Sequence, residues 1–397
     1  HTEEVDGDGN PIAKHADAWM NNPGQVACGA CHDDLDFTAH MGGQDDDSSC
    51  AVCHTPAKIQ EVHMPVLPAK LVLATTAEDI SVDGATGLIT FTFSASDSDG
   101  NAILNLDDTD QYRCGYLVGW PAEEYESYVG NSNMGDEITN NGDGTYSYTG
   151  TAGEEIPTGT AGTFGFVFRG RSHLDLNGDA AEGEGESDGY ETRQPMEAPG
   201  SVVFRTDGGT PATRRVIVDD EACAACHGEP FPGHGSDRIG VDVCVVCHNV
   251  NLVSEPDVGV PVTVNLKDMI HKIHRGSELQ SGYTTGGHGG DVDFTKIHFP
   301  GRLEQCSICH GDHDVSVPLA SEALSTVVAV DDDDDELTPD VVLSETMPEA
   351  AACTSCHDST LTAGHAELNT SASGVETCGI CHGSGADFDV ETVHTVD

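Results

Sequence analysis

The sequence predicts loop-rich domains with short helices on either side of a single all-β domain, an antiparallel sandwich or barrel. Seven Cys-x-x-Cys-His motifs occur in the 397 residues, and none of them lies between residues 67 and 219. That interval instead alternates apolar residues with Thr and Ser, which is the pattern of half-buried strands. The chain is 37% hydrophobic and 5% aromatic, which is lean for a conventional core. The motif-bearing parts therefore need another source of apolar mass.

The repeated motif is the attachment signature of haem c, in which two thiols bond to the porphyrin and the next histidine becomes an axial ligand of the iron. Zinc sites are the alternative, but zinc does not require a histidine directly after the second cysteine, and here it follows all seven times. The motifs predict seven haem c groups, attached through Cys28, Cys31, Cys50, Cys53, Cys223, Cys226, Cys244, Cys247, Cys306, Cys309, Cys353, Cys356, Cys378 and Cys381. Their proximal ligands would be His32, His54, His227, His248, His310, His357 and His382.

Spare histidines recur at similar distances from the motifs. His40 lies eight residues after His32, and His365 lies eight residues after His357. His63, His234 and His394 also follow motif histidines, in segments that each carry two motifs. This layout indicates a repeated two-haem unit in which the spare histidine supplies the second axial ligand. Ordinary surface histidines are the alternative, which the recurrence disfavours.

The interval without motifs predicts strands punctuated by Gly, Asp and Asn. The predicted strands are Gly87–Ser94, Gly144–Tyr148, Thr163–Phe168, Ser201–Arg205 and Arg215–Val218. The domain would serve either as a spacer and docking surface or as a scaffold that sets haem geometry. Cys114 lies here and is the one cysteine of fifteen outside the motifs. A buried, inert thiol is expected for it, with an intermolecular disulfide as the alternative.

A helix is predicted from Leu266 to a C-terminal cap at Gly276, because Leu266, Met269, Ile270 and Ile273 have helical spacing. Its two histidines, His271 and His274, lie one turn apart on neighbouring faces. They could ligate two different irons or chelate one metal ion. The surrounding haem motifs that lack second ligands favour the first interpretation.

The net charge of −53, from 69 acidic and 16 basic residues, argues against a nucleic-acid partner, which needs a basic surface. No apolar run is long enough for a membrane span. The chain begins at His1 without a signal peptide, and haem c is attached outside the cytoplasm, so we expect export through the periplasm and a secreted or cell-surface location.

Several acidic segments look like openings of calcium loops but lack the closing Glu at the required spacing. They are Asp6–Asn10, Asp97–Asn101 and Asp175–Asp179. Tight turns are the expected structure for each, with bound calcium as the alternative. The run from Asp331 to Asp335 is expected to be a solvated loop.

The residues Met269–Gly276, together with Ile297–Gly301 just before Cys306, resemble the outer-membrane decahaem cytochromes of the MtrC/OmcA type. That family alternates β domains with pentahaem domains and uses haems with two histidine ligands for extracellular electron transfer. The resemblance implies a shortened seven-haem member with a dihaem segment at residues 1–66, a β domain at 67–219 and a pentahaem domain at 220–397.

The resemblance also implies a complete set of second axial ligands, which are His40, His63, His234, His271, His274, His365 and His394. The chain departs from the family in three respects. The first β domain and three haems have no counterpart, Cys114 has no disulfide partner, and a lipid-anchoring cysteine is not seen. The usual attachment to a membrane porin complex is therefore not expected.

An iron with two imidazole ligands has no open position for a substrate and can only pass electrons. The sequence therefore favours an electron carrier over an enzyme, with redox proteins or extracellular acceptors such as metal oxides as partners. Polymerisation of copies head to tail into a filament is a further expectation, since His1 and His15 are spare ligands. The alternative is a reductase of a small oxyanion with one five-coordinate haem. Its candidate catalytic residues would be His173, His288, His298 and His313.

Overall fold

The computed structural model describes residues 21–29, 36–39, 46–63, 67–175, 191–228, 231–287, 290–330 and 341–394. The chain divides into two compact units, residues 1–68 and 69–397. The division into three domains at residues 66 and 219 stays a prediction. Some predicted features lie outside the described residues, namely His1, His15, Cys31, His32, His40, His288, the loop Asp6–Asn10, the loop Asp175–Asp179 beyond its first residue and the run Asp331–Asp335.

In the part of the N-terminal unit that the structure describes, short helices are joined by loops, as the sequence predicts. Its helices are α1 (Gln25–Gly29), α2 (Cys50–Cys53) and α3 (Pro56–His63), with a 3-10 turn at Asp47–Ser49. The Asp47 carboxylate accepts a hydrogen bond from the Gln25 backbone N–H at 2.9 Å, which ties the turn to the start of α1. Side chains thus supply contacts that a larger apolar core would otherwise provide.

Two antiparallel five-stranded sheets form the first part of the second unit. One sheet has the order β1-β3-β7-β6, with β2 paired to β3, and the other has the order β10-β8-β4-β5, with β9 paired to β8. The first sheet contains β1 (Leu71–Ala74), β2 (Ile80–Val82), β3 (Ile89–Asp97), β6 (Thr139–Asn140) and β7 (Thr145–Thr149). The second contains β4 (Tyr112–Trp120), β5 (Ser127–Asn131), β8 (Phe164–Asp175), β9 (Glu191–Pro195) and β10 (Val202–Phe204).

Aromatic side chains from the two sheets meet between them. Along β3 the residues alternate between buried and exposed, and Phe91 and Phe93 point inward. The Phe91 ring lies 5.0 Å from the ring of Tyr116 and 4.8 Å from that of Phe166, both on the facing sheet. Edge-to-face contacts at these separations add to the burial of the rings. The predicted antiparallel sandwich is confirmed.

Four of the five predicted strands coincide with β3, β7, β8 and β10. The fifth prediction, Arg215–Val218, is wrong, because this segment forms no strand. Its polar groups bond to side chains instead of to a neighbouring strand. Arg215 pairs with the Glu124 carboxylate at 2.5 Å, and the Ile217 carbonyl oxygen lies 2.8 Å from His310 Nδ1.

Cys114 is fully buried in the sandwich core, as predicted. Burial raises the pKa of its thiol to about 12, so the sulfur stays protonated and unreactive at neutral pH. The turn after β3 also matches its prediction. Asp97 Oδ1 accepts hydrogen bonds from the N–H groups of Asp99 and Asn101, which is an Asx-type turn.

Helix α5 (Val241–Cys247) packs on the outer face of the second sheet. Its Val243 and Val246 are buried in a cluster with Leu117 of β4 and Val167 of β8. Both faces of β4 are therefore covered, one by the sandwich core and one by this helix. The packing holds a motif-bearing helix directly against the β domain.

The remainder of the second unit alternates short helices with two-stranded ribbons. The helices are α4 (Asp220–His227), α6 (Leu266–Arg275), α7 (Ser307–His310), α8 (Pro348–Thr354), α9 (Thr360–Leu368), α10 (Gly379–His382) and α11 (Val390–His394). The ribbons pair β11 (Pro232–Gly233) with β12 (Arg238–Ile239), β13 (Val253–Ser254) with β14 (Val262–Thr263), β15 (Thr284–Thr285) with β16 (Val292–Asp293), and β17 (Thr326–Val330) with β18 (Val341–Thr346). None of the helices in the described ranges is long and apolar enough to cross a bilayer.

Candidate haem sites

In the second unit, the cysteines of each motif lie three residues apart on or beside a short helix. Helix α4 carries Cys223, Cys226 and His227, and α5 carries Cys244 and Cys247. In the motifs that begin at Cys306 and Cys378, the first cysteine caps α7 or α10 and the second lies within it, whereas α8 contains Cys353 and ends just before Cys356. Residues three and four apart share one helix face, so the two thiols and the following histidine of a motif point to the same side.

Each motif histidine of the second unit faces one of the predicted spare histidines. The distances between ring centroids are 6.0 Å for His227–His274, 5.8 Å for His234–His248, 6.0 Å for His271–His310, 6.0 Å for His357–His394 and 6.2 Å for His365–His382. Every motif histidine between residues 69 and 397 occurs in one pair, and no spare histidine is used twice.

The separations match what one metal ion between two imidazoles requires. A bond from histidine nitrogen to a metal is about 2 Å long, and the ring centroid lies about 1 Å behind the nitrogen, so two opposed rings are about 6 Å apart. Two thiols on the same helix face accompany each motif histidine. The residues present therefore fit a covalently attached haem at each of the five motifs of this unit.

Hydrogen bonds to backbone carbonyls orient half of these ten rings. The Nδ1 atoms of His248, His274, His310, His382 and His394 lie 2.8–3.1 Å from backbone carbonyl oxygens. A carbonyl oxygen only accepts hydrogen bonds, so Nδ1 carries the proton in each ring. Nε2 is then left as the metal-binding nitrogen, and the ring cannot rotate freely about its bond to Cβ.

Helix α6 confirms the prediction from Leu266 to its cap at Gly276, whose φ is 42°. It directs its two histidines to different motifs, His271 to His310 and His274 to His227. The rings do not converge on one point, which argues against the chelating metal pair. Burial lowers the pKa of His271 to about 4, so its imidazole is neutral at physiological pH, as ligation requires.

Asp268, on the same helix, was not singled out from the sequence. It is buried, and its carboxylate accepts hydrogen bonds from Thr326 Oγ1 at 2.7 Å and Ser355 Oγ at 3.1 Å. These bonds join α6 to β17 and to the motif at Cys353. The only sequence signal is an acidic residue one turn before His271, on the inner face of the helix.

We expect Asn265→Ala to destabilise the protein by about 1–2 kcal/mol, because Asn265 caps α6 and is itself buried. Its side chain accepts from the Lys267 N–H and donates to Thr326 Oγ1 at 3.0 Å. Denaturant unfolding of the haem-loaded protein measures the change. Asn251→Ala, at an exposed position, is the control and should stay within about 0.5 kcal/mol. Equal losses in the two variants would contradict the capping role.

The histidines proposed as catalytic candidates lie elsewhere. His173 Nε2 accepts a hydrogen bond from Arg171 Nε at 3.0 Å, and His298 Nδ1 lies 2.9 Å from Ser277 Oγ. His313 Nε2 lies 2.9 Å from the Asp219 carboxylate. None of these three occurs in the ring pairs of the described residues.

In the N-terminal unit the structure describes part of the predicted sites. Cys28 lies in α1, Cys50 and Cys53 lie in α2, and His54 follows α2 directly. The backbone of His63 ends α3, and its side chain lies outside the described part. The pairing of histidines in this unit is therefore a prediction of the sequence alone.

A family model described as "Outer membrane cytochrome MtrC/MtrF-like, domains II/IV" matches residues 215–395. This segment is an MtrC/MtrF-like domain. The match covers the MtrC/MtrF-like segment from just before α4 to the end of α11, and it confirms the resemblance that the sequence predicts for this part of the chain. None of the curated proteins matches the chain.

One solved structure extends the likeness of fold beyond the MtrC/MtrF-like domain. MtrC from Shewanella baltica superposes with a TM-score of 0.60 and 21% identity over 95% of this chain. This chain spans 63% of the length of that protein. The outer membrane decaheme cytochrome OmcA gives a TM-score of 0.46 and 19% identity, over 80% of this chain and 46% of OmcA. The fold of this chain is thus shared with MtrC.

Proposed function

We propose that this chain is an extracellular electron-transfer cytochrome whose haems each have two histidine ligands. The observation that carries the proposal is the set of five histidine pairs about 6 Å apart, each beside a Cys-x-x-Cys pair. The MtrC/MtrF-like domain and the fold shared with an outer-membrane cytochrome support a location outside the cell.

In this chemistry the protein would attach each haem, ligate its iron and exclude substrates from the iron. The cysteines of each motif would fix a haem to a short helix, and the paired imidazoles would supply the ligands of its iron. A bound haem supplies one-electron transfer, and with both axial positions filled it offers no site for a substrate. The hydrogen bonds from ring Nδ1 atoms to backbone carbonyls would hold these rings in position for ligation.

The proposal extends to seven haems, because the N-terminal unit carries two further motifs. There the attachment residues are Cys28, Cys31, Cys50 and Cys53, and the ligands are His32 and His54 with His40 and His63 opposite them. Redox proteins and extracellular acceptors such as metal oxides are the proposed partners, in keeping with an acidic surface that attracts cations.

Two measurements on the purified full chain test the function. The mass of the denatured protein should exceed that of the polypeptide by seven haems, and the electron paramagnetic resonance spectrum of the oxidised protein should show low-spin iron throughout. A high-spin component that responds to added oxyanions would instead favour the reductase. The histidine pairs argue against the reductase for the five haems of the second unit.

The proposal also includes head-to-tail polymerisation of the chain into a filament. Its support is the pair of spare histidines His1 and His15, which have no motif of their own and could ligate a haem of the next copy. Sedimentation and electron microscopy at increasing protein concentration test it. A chain that stays monomeric throughout would remove the filament and leave the electron-transfer proposal intact.

A further inference from the structure

Four arginines surround a single buried carboxylate beside one of the haem sites. Asp237 is buried, and its oxygens lie 2.6 Å from Arg169, 3.0 Å from Arg238, 3.3 Å from Arg113 and 4.0 Å from Arg171. The chain has only ten arginines, so four at one carboxylate are a marked concentration in a protein with a net charge of −53. The group, called here the arginine cluster, has three more positive charges than negative ones.

The arginine cluster holds the turn that carries His234. Arg238 Nη1 donates to the His234 carbonyl oxygen at 3.2 Å, and Arg171 Nη1 donates to the Gly235 carbonyl oxygen at 2.6 Å. His234 has a φ of 48°, which non-glycine residues rarely adopt without support from their surroundings. Since His234 pairs with His248, the positive charges lie next to the haem site of Cys244 and Cys247.

A nitrogen of Arg169 indicates which kind of group the arginine cluster faces. Arg169 is 4% exposed, and its Nε has no hydrogen-bond partner among the residues that the structure describes. A buried guanidinium donor without an acceptor is costly, so an acceptor from outside the polypeptide is expected. The carboxylates of a haem have that chemistry and the matching charge.

The haem site at Cys378 has the opposite environment. A carboxylate oxygen of Glu349, one of Glu376 and the Cys378 sulfur all lie within 4.8 Å of one another. Glu349 is buried, and one of its oxygens has no hydrogen-bond partner in the described part of the chain. The two carboxylates therefore bring negative charge next to the attachment point of this haem.

We infer that these two charge clusters set the extremes of a redox gradient, with the haem at Cys244 and Cys247 the most easily reduced and the haem at Cys378 and Cys381 the least easily reduced in the second unit. The inference rests on the proposed function. Reduction lowers the positive charge on the iron, so neighbouring arginines favour the reduced form and neighbouring carboxylates the oxidised form. Electrons in the second unit would then collect at the haem beside the β domain.

A stepwise redox titration of the full chain, followed by absorption spectroscopy, tests the order. The variant Cys244→Ala/Cys247→Ala should lose the component of highest potential, and Cys378→Ala/Cys381→Ala should lose that of lowest potential among the five haems of the second unit. If either variant fails to fold, single charge substitutions provide the test without removing a haem.

Arg238→Gln should make its haem harder to reduce, and Glu376→Gln should make its haem easier to reduce. Arg238 is partly exposed, and Arg169 still pairs with Asp237 in the variant. In the parent protein the two oxygens of Glu376 accept from the N–H groups of Glu349 and Ala350, and the amide of the Glu376→Gln variant keeps one of these two acceptors. We expect each substitution to change one reduction equilibrium about tenfold, which is about 59 mV for a one-electron couple.

Matched controls come from an ion pair of the same unit in which Arg205 is partly exposed, as Arg238 is, and Asp207 is exposed. Arg205→Gln removes one positive charge and Asp207→Asn removes one negative charge, as the two test variants do. Neither control should change the reduction potential of any haem. The gradient would be overturned if the reduction potentials of Arg238→Gln and Glu376→Gln shift no more than those of the controls, or shift in the opposite direction to that expected. The haem count and spin state of each sample are recorded first. If a charge variant keeps all its haems low-spin and its redox titration is unchanged, the gradient is overturned but the proposed function stands. If the unsubstituted chain lacks a haem or contains a high-spin haem, the proposed function is overturned.

Discussion

His271→Ala is expected to turn one haem of the chain high-spin, and His274→Ala is expected to do the same to a different haem. The two residues lie one turn apart on α6, but their rings face different motif histidines, His310 and His227. Removing one imidazole leaves that iron with a single axial histidine, while both thioether bonds remain. Each variant should therefore retain every covalent haem and gain one high-spin centre, seen by electron paramagnetic resonance.

The double variant His271→Ala/His274→Ala shows whether the two histidines of α6 ligate two different irons or chelate one metal ion. If each histidine serves its own iron, the high-spin signals add, and the double variant shows twice the signal of either single variant. If the histidines chelated one metal ion, each single variant would lose that ion, and no haem would change its spin state. His298→Ala is the control, because its ring bonds to Ser277 and lies outside the ring pairs. A high-spin signal in this control would contradict the assignment.

The β domain shows which strands a sequence reveals. Strand β3 is predictable because one face is buried and the other is exposed, so apolar residues alternate with Thr and Ser. Strand β4 escapes the same analysis because it is covered on both faces, by the core and by helix α5. Its glycines also lack a hydropathy signal. Gly115 approaches the backbone of Asn131 so closely that a side chain would not fit.

The histidine ligands show a comparable limit. Motif spacing identifies the candidate rings, since each motif carries its own histidine and the spare ones recur. It does not reveal their partners. His234 follows His227 by seven residues but faces His248, whereas His227 faces His274 of helix α6. The pairing depends on how short helices pack around the haems, which is a property of tertiary structure.

The arginine cluster escapes sequence analysis for a similar reason. Its members come from β4, β8 and β12, which are far apart in the chain and meet only because β4 pairs with β8 and the His234 turn packs against both. The one local signal is Asp237-Arg238 directly after the turn of His234. Without the topology of the sheet, that dipeptide looks like an ordinary surface pair.

Asp237→Asn should destabilise the haem-loaded protein by about 3–5 kcal/mol, the usual cost of removing one partner from a buried ion pair. The substitution keeps the shape of the side chain but leaves four guanidinium groups without their only carboxylate among the described residues. Arg169 suffers most, since it is nearly fully buried and lies 2.6 Å from Asp237. Denaturant unfolding measures the loss, and Asp207→Asn, at an exposed pair, should change stability by less than about 1 kcal/mol.

The same variant separates charge from structural damage at the haem beside it. Asp237→Asn adds positive charge to the cluster, so in the molecules that remain folded this haem becomes easier to reduce, opposite to the effect of Arg238→Gln. General loosening of the turn at His234 would move the potential in the same direction in both variants. Adding Arg169→Met to Asp237→Asn should recover part of the stability, because the uncompensated buried charge is then removed. A loss below about 1 kcal/mol for Asp237→Asn alone would mean that the carboxylates of the haem, and not Asp237, are the main counter-charge of the arginines.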